Sequence, residues 1–312
     1  MGVTMLTLAR FTLKGPYQAA GVVGLLAVLS VLIPLMAPNT GIGVLAASLC
    51  MLLSCVLVGL IILTQGSTSG LKAIGFSILG ITVVSWGLIN SPELGLWTGL
   101  VQWLPIILLA QTLRSSKSLA LTMLLGVLLG TVGILTQHLL WTDIEAQWTE
   151  MAVQRLQQMG EVDPQLLERN IQLIKLFVVA LIAMAYLLMV SMVLLARWMQ
   201  AKLAESERFA QEFQALSLGR GAAMAALVVT GLAFWLKQPW INSLMLLMVV
   251  AFLFQGIAVI HSKLTTKRQS KLLLGLFYAL LMIFPQVVAL TSLVGVIDNW
   301  LVFSRSAENT DD

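Results

Sequence analysis

Nine apolar runs recur along the chain, at residues 16–37, 42–64, 71–89, 94–113, 118–140, 171–199, 219–236, 240–262 and 272–296, and none carries an Asp, Glu, Lys or Arg near its middle. Their lengths sit near the ~20 residues that take an α-helix across the hydrocarbon of a bilayer. Inside lipid, a backbone must satisfy its N–H and C=O groups within a helix or a closed barrel. Runs this long, without strand-like alternation, select the helix. The expected architecture is all-α: a polytopic bundle of about nine spans, forming a single integral membrane domain over residues 1–312. Composition agrees. Only 10% of residues are charged and the mean hydropathy is +0.94, whereas a soluble domain carries roughly 25% charged residues to cover its surface. The first run follows Arg10 and Lys14 and resembles a signal peptide. Its length and the lack of a small-residue cleavage site predict a retained span instead.

Loop charge orients the bundle. With the N-terminus inside, 13 of the 18 Lys and Arg fall on inner segments and 5 on outer ones, as the positive-inside bias requires. Eleven of the 14 acids then lie outside, six of them between Asp143 and Glu168. Nine crossings would leave the C-terminus outside. The sequence thus reads as a multi-pass protein of a bacterial cytoplasmic (inner) membrane. Its constant partner is the lipid bilayer, and nothing points to nucleic acid.

Two polar connectors interrupt the apolar runs. Residues 141–170 open on Thr142-Asp143-Ile144-Glu145, the spacing of a capping box, and place Trp141, Ile144, Trp148, Met151 and Met159 near one helical face. Gly160 should end that helix, and Asp163-Pro164 should begin the next as cap and first helical residue. An outer amphipathic helix at headgroup level is expected here. In residues 200–218, Leu203, Phe209, Phe213 and Leu216 oppose Lys202, Glu205, Arg208 and Glu212. Glu205–Arg208 and Arg208–Glu212 have helical pair spacing, which predicts an inner surface helix.

The search for chemistry returns little. His138 and His261 are far apart, and no His-Glu-x-x-His, paired-carboxylate, Gly-x-Ser-x-Gly or phosphate-loop pattern occurs. The lack of mid-span charge weighs against a proton-driven antiporter. No catalytic residue, metal site or cofactor is expected, and the chain is not read as an enzyme. Cys50 and Cys55 point apart on one helix; Ala46, Cys50 and Ser54 recur every four residues, beside a stripe of Gly43, Ala47 and Gly59, as small packing residues. Ala73, Ser77 and Gly80, and Gly126, Gly130 and Gly133, read the same way. The Ala20-x-x-x-Gly24 face could dock a partner instead. The buried polar groups are the positive signal. Gln102 and Trp103 precede Pro105, Gln255 lies in the eighth run, and Gln286 follows Pro285. Proline frees a helix carbonyl, and transporters place ligand sites at interrupted helices, so Gln102, Gln255 and Gln286 are candidate ligand-binding residues. The alternative is interhelical hydrogen bonding, worth about 1 kcal/mol each.

The stretch Phe254-Gln255-Gly256-Ile257-Ala258-Val259-Ile260-His261, followed by Gly295-Val296-Ile297-Asp298-Asn299-Trp300-Leu301-Val302-Phe303-Ser304-Arg305, resembles the YybS-like family of uncharacterised bacterial membrane proteins. The resemblance rests on a Gln-Gly-Leu-Ala-like stretch in the penultimate span and a Gly-x-x-Asp-x-Trp…Arg ending. Its positions here are Gln255, Gly256, His261, Gly295, Asp298, Trp300 and Arg305. Residues 213–220 are also similar to the family's segment before a span, with Gly219 where a proline is expected. The resemblance implies a component similar to the substrate-capturing subunits of energy-coupling-factor transporters. Such a component would bind a small molecule of unknown identity and dock on a separate ATPase. The alternative is a non-transporting scaffold or assembly factor that binds another envelope protein. Asp298 and Arg305 are two helical turns apart on one face, which suits capping and anchoring of the ninth span at the outer interface.

Overall fold

The computed structural model describes residues 2–37, 40–140, 144–158, 164–265 and 270–301, and every regular element among them is helical. Seven helices are long and apolar enough to cross a bilayer, within Pro16–Met36, Gly41–Gln65, Gly70–Leu88, Glu93–Ser116, Leu119–Leu140, Glu168–Leu203 and Pro239–Thr265. This is a multi-pass membrane protein. The contacts divide it into two compact units, residues 1–122 with 188–213, and residues 123–187 with 214–312.

The first unit is built around α3 (Gly41–Gln65), whose positions from Ser54 to Leu63 are all buried. A helix apolar on every side must be surrounded, and α1 (Gly2–Thr12), α2 (Pro16–Met36), α4 (Ser67–Ile89) and α6 (Leu104–Ser116) pack against it. Thr40 caps its start, accepting the Gly43 N–H at 3.2 Å. Small residues bring the helices close. Ser54 Oγ donates to the Val23 carbonyl at 3.3 Å, and Ser77 Oγ to the Ala20 carbonyl at 3.1 Å. The Ala20–Gly24 face is therefore occupied by α4 of the same chain, not left for a partner. Cys55 is buried and Cys50 half-buried, both as free thiols. Between α4 and α6, α5 (Glu93–Trp97) runs into a π-helical stretch, Thr98–Trp103, just before Pro105.

In the second unit, α12 (Pro239–Thr265) is the central helix, with α11 (Arg220–Leu236) and α14 (Pro285–Leu301) against it. α7 (Leu119–Leu140) and α9 (Pro164–Leu203) contribute most and part of their lengths, respectively. Gly130 of α7 faces Leu247 and Ile182, and Tyr186 donates its hydroxyl to the Met123 carbonyl at 3.3 Å.

Three expectations change. The ninth run is not one straight span. It is α13 (Ser270–Ile283) and α14, and the apolar pair is bent by 115° at Pro285, which lacks the N–H to continue the ladder and clashes with the preceding turn. The seventh run forms α11, only 17 residues long. The inner surface helix shrinks as well. α9 runs on to Leu203, Glu205 turns the chain at φ 51°, and α10 (Arg208–Gln214) spans 7 residues. The turn folds Glu212 back onto α9, where it pairs with Arg197 rather than Arg208. In the 141–170 connector, α8 (Ile144–Gln158) and α9 from Pro164 onward are helical. Thr142, Asp143, Gly160 and Asp163 lie outside the described residues.

Candidate functional site

Four of the C-terminal motif residues, Gln255, Gly256, Gly295 and Asp298, meet at the middle of α12. Gly256 and Gly295 set the approach: a Cβ on Gly256 would collide with the Thr291 carbonyl, and one on Gly295 with the Phe252 carbonyl. Residue 252 thus meets 295, and 256 meets 291, so α12 and α14 run in opposite directions with their backbones nearly touching. Only glycine permits that approach.

Beside this crossing lies a buried polar node. Gln255 is 0%, Asp298 3% and Asn299 7% exposed. Gln255 accepts the Leu218 N–H through Oε1 at 3.0 Å and donates through Nε2 to Asp298 Oδ2 at 3.0 Å. Asn299 Oδ1 accepts the Gly219 N–H at 2.9 Å and the Ser217 hydroxyl at 3.3 Å. Arg220 Nε donates to the Asn299 carbonyl at 3.1 Å. The first N–H groups of a helix and its last C=O groups have no partner within the helix. Here side chains of α12 and α14 hold the two backbone N–H groups just ahead of α11, and the side chain of the first residue of α11 holds a carbonyl in the last turn of α14. The bonds of Gln255 and Asn299 run to the end of the 200–218 connector, not to a loop that the charge pattern places outside. Asp298 and Asn299 are buried against the residues that end the connector placed on the inner side. Arg220 was not singled out from sequence, because its bond runs to a backbone atom 79 residues away.

The other candidates fall elsewhere. Gln286 is exposed at the start of α14, Trp300 is 38% exposed, and His261 Nδ1 lies 3.0 Å from the Tyr278 hydroxyl. Arg305 lies outside the described residues. Gln102 belongs to the first unit and is exposed. Within the second unit, Gln255 and Gln286 are not brought together, since Gln255 is committed to the node. Next to Gln102, however, Trp103 is fully buried at the end of the π-helical stretch, and its indole N–H has no acceptor. Gln111, two turns further on, leaves its buried Oε1 without a donor. Among the described residues, no three His, Cys, Asp or Glu side chains gather to hold a metal ion.

Fold and node define a polytopic helical membrane protein whose terminal motif locks helix ends together. No protein-family model matches the chain, and no curated protein or solved structure matches it either.

Proposed function

We propose that the chain is a substrate-binding transport component of a bacterial inner membrane, without an ATPase of its own and with its N-terminus cytoplasmic. The observation that carries this reading is Trp103. A buried donor without an acceptor costs about 1–3 kcal/mol, and π-helical stretches concentrate at functional sites. The indole N–H would be answered by an acceptor on a bound molecule. The 115° break at Pro285 adds the interrupted helix that transporters use at ligand sites. In this reading the loop charge places the N-terminus on the cytoplasmic side, and the bent α13–α14 pair, whose end bonds the start of α11, either crosses or turns back to the side it entered.

Native mass spectrometry of the detergent-purified chain tests the proposal. A small non-lipid molecule should co-purify with the wild type and be lost from Trp103→Phe, which keeps the ring and removes the N–H. If only a second envelope protein co-purifies, the scaffold reading replaces this one. Labelling of a cysteine introduced after Arg305 tests the crossings: reaction from the cytoplasmic side alone would refute a C-terminus outside.

A further inference from the structure

Where α3, α6 and α9 of the first unit end, a cavity of about 250 Å³ is lined by Arg114, Lys117, Arg197, Gln200, Arg208 and Glu212. Its charges do not balance. Arg197 donates through Nε at 2.9 Å and through Nη2 to Glu212, and through Nη1 at 2.7 Å to Gln200. Gln200 in turn donates to the Leu63 carbonyl at 2.9 Å. Arg114 Nη1 donates to the Ile62 carbonyl at 2.9 Å, a neutral acceptor. The Lys117 ammonium and the Arg208 guanidinium have no hydrogen-bond or ion-pair partner among the described residues. Three cations therefore face one cavity whose single carboxylate is already committed to the fourth.

The backbone does not dictate this crowding. Lys117 occupies the left-handed position that ends α6, at φ 53°, where glycine is the usual residue. Gly66, at φ +93°, makes room for Arg114: a Cβ there would lie 2.6 Å from Nη1. Like charges gathered around a cavity repel unless an anion joins them. Guanidinium and ammonium groups together suit phosphate oxygens. A phosphate monoester carries about −1.5 to −2 near neutral pH and so matches three cations better than a single carboxylate would. The volume is below the ~300–1,000 Å³ of pockets that enclose a whole drug-sized ligand, which fits a headgroup-sized occupant.

We propose that this cavity binds a phosphate monoester group through Lys117, Arg208 and Arg114, with the Arg197–Glu212 pair as its wall. The group can belong to a soluble compound or to a monoester lipid headgroup. The proposal does not depend on the transport reading, because it concerns other residues and a different readout.

The test uses the full chain in two settings. In non-ionic detergent, the unfolding midpoint is compared between inorganic phosphate and sodium chloride at equal ionic strength. In bilayer discs, it is compared between phosphatidylcholine alone and phosphatidylcholine containing phosphatidic acid. The wild type and Lys72→Gln, which removes a cation outside the cavity, should be stabilised in at least one setting. The double variant Lys117→Gln/Arg208→Gln should respond with an apparent affinity at least tenfold weaker. A response to inorganic phosphate assigns a soluble ligand, and a response to phosphatidic acid alone assigns the lipid. Equal midpoints in phosphate and chloride, with none gained in phosphatidic acid, would overturn the site. So would a double variant that responds like the wild type, or a Lys72→Gln chain that loses the response as fully. Should the double variant not fold, protection of Lys117 from amine acetylation by the same additives in the wild type decides the matter, and absence of protection counts against the site.

Discussion

Asn299 and Arg220 tie the start of α11 to the end of α14 through two hydrogen bonds. Asn299 Oδ1 takes the Gly219 N–H just ahead of α11, and Arg220 Nε gives its hydrogen to the Asn299 carbonyl near the end of α14. Neither bond is remarkable in length; their reciprocity joins the start of one helix to the end of another across 80 residues of chain. Truncating Asn299 removes the acceptor for two donors at once. We expect Asn299→Ala to cost about 1–3 kcal/mol, the usual range for orphaning a buried polar group, read as a lower unfolding midpoint in detergent.

Gln255 serves both Leu218 and Asp298, so its effects should not add. Gln255→Leu should destabilise by about 2–3 kcal/mol, because it strands an N–H and loses a donor to a buried carboxylate. Asp298→Asn, which keeps an oxygen facing Gln255, should cost less. In a double-mutant cycle, Gln255→Leu with Asp298→Leu should fall short of the sum by about 0.5–3 kcal/mol, as residues sharing one network do. Strict additivity would show that the two side chains act separately.

The glycines of the α12–α14 crossing should tolerate no side chain. Gly256→Ala and Gly295→Ala each set a Cβ against a carbonyl of the other helix. Overpacking of this kind costs about 1–3 kcal/mol even where side chains can yield, and here the obstacle is backbone. Gly231→Ala, on α11 with nothing within 4 Å of the new methyl, should instead stabilise by roughly 0.5–1 kcal/mol through helix propensity. The opposite signs can be read in one set of melts.

The Arg197–Glu212 pair should matter little to overall stability. The side chains are 20% and 28% exposed, and pairs open to solvent are typically worth ~0.2–1 kcal/mol. Glu212→Gln should lower the unfolding free energy by no more than about 1 kcal/mol, with the difference shrinking as salt is raised.

The bilayer-spanning helices were legible because apolar run length alone sets them. Pro164 likewise marks the start of α9, where a fixed φ and a missing N–H suit the first helical turn. Other features needed the third dimension. Pro285 announces a break in the last apolar run, but not the 115° turn that sends α14 back along α12. Helical spacing assigns Glu212 to Arg208, four residues away, and cannot see Arg197 across the Ala204–Glu205 turn. Gln102, Gln255 and Gln286 look equivalent as polar residues in apolar runs. Only packing separates the fully buried Gln255, committed to its node, from two exposed ones. The cavity cations Lys117 and Arg208 read in sequence as ordinary topology signals, since they sit on different loops.

The bonds between residues 219–220 and Asn299 also order events during synthesis. When Gly219 leaves the ribosome, the side chain that will answer its N–H is still 80 residues from being made. The α11–α12 hairpin must wait in the bilayer with its entrance unsealed until α14 arrives. Closing so long a loop costs only slightly more entropy than closing a short one, so the delay is one of time and not of equilibrium. During that interval the Gly219 N–H just ahead of α11 depends on water, lipid headgroups or the insertion machinery for an acceptor. A nascent chain halted before residue 298 would carry α11 and α12 in full and still lack the clasp that holds them in place.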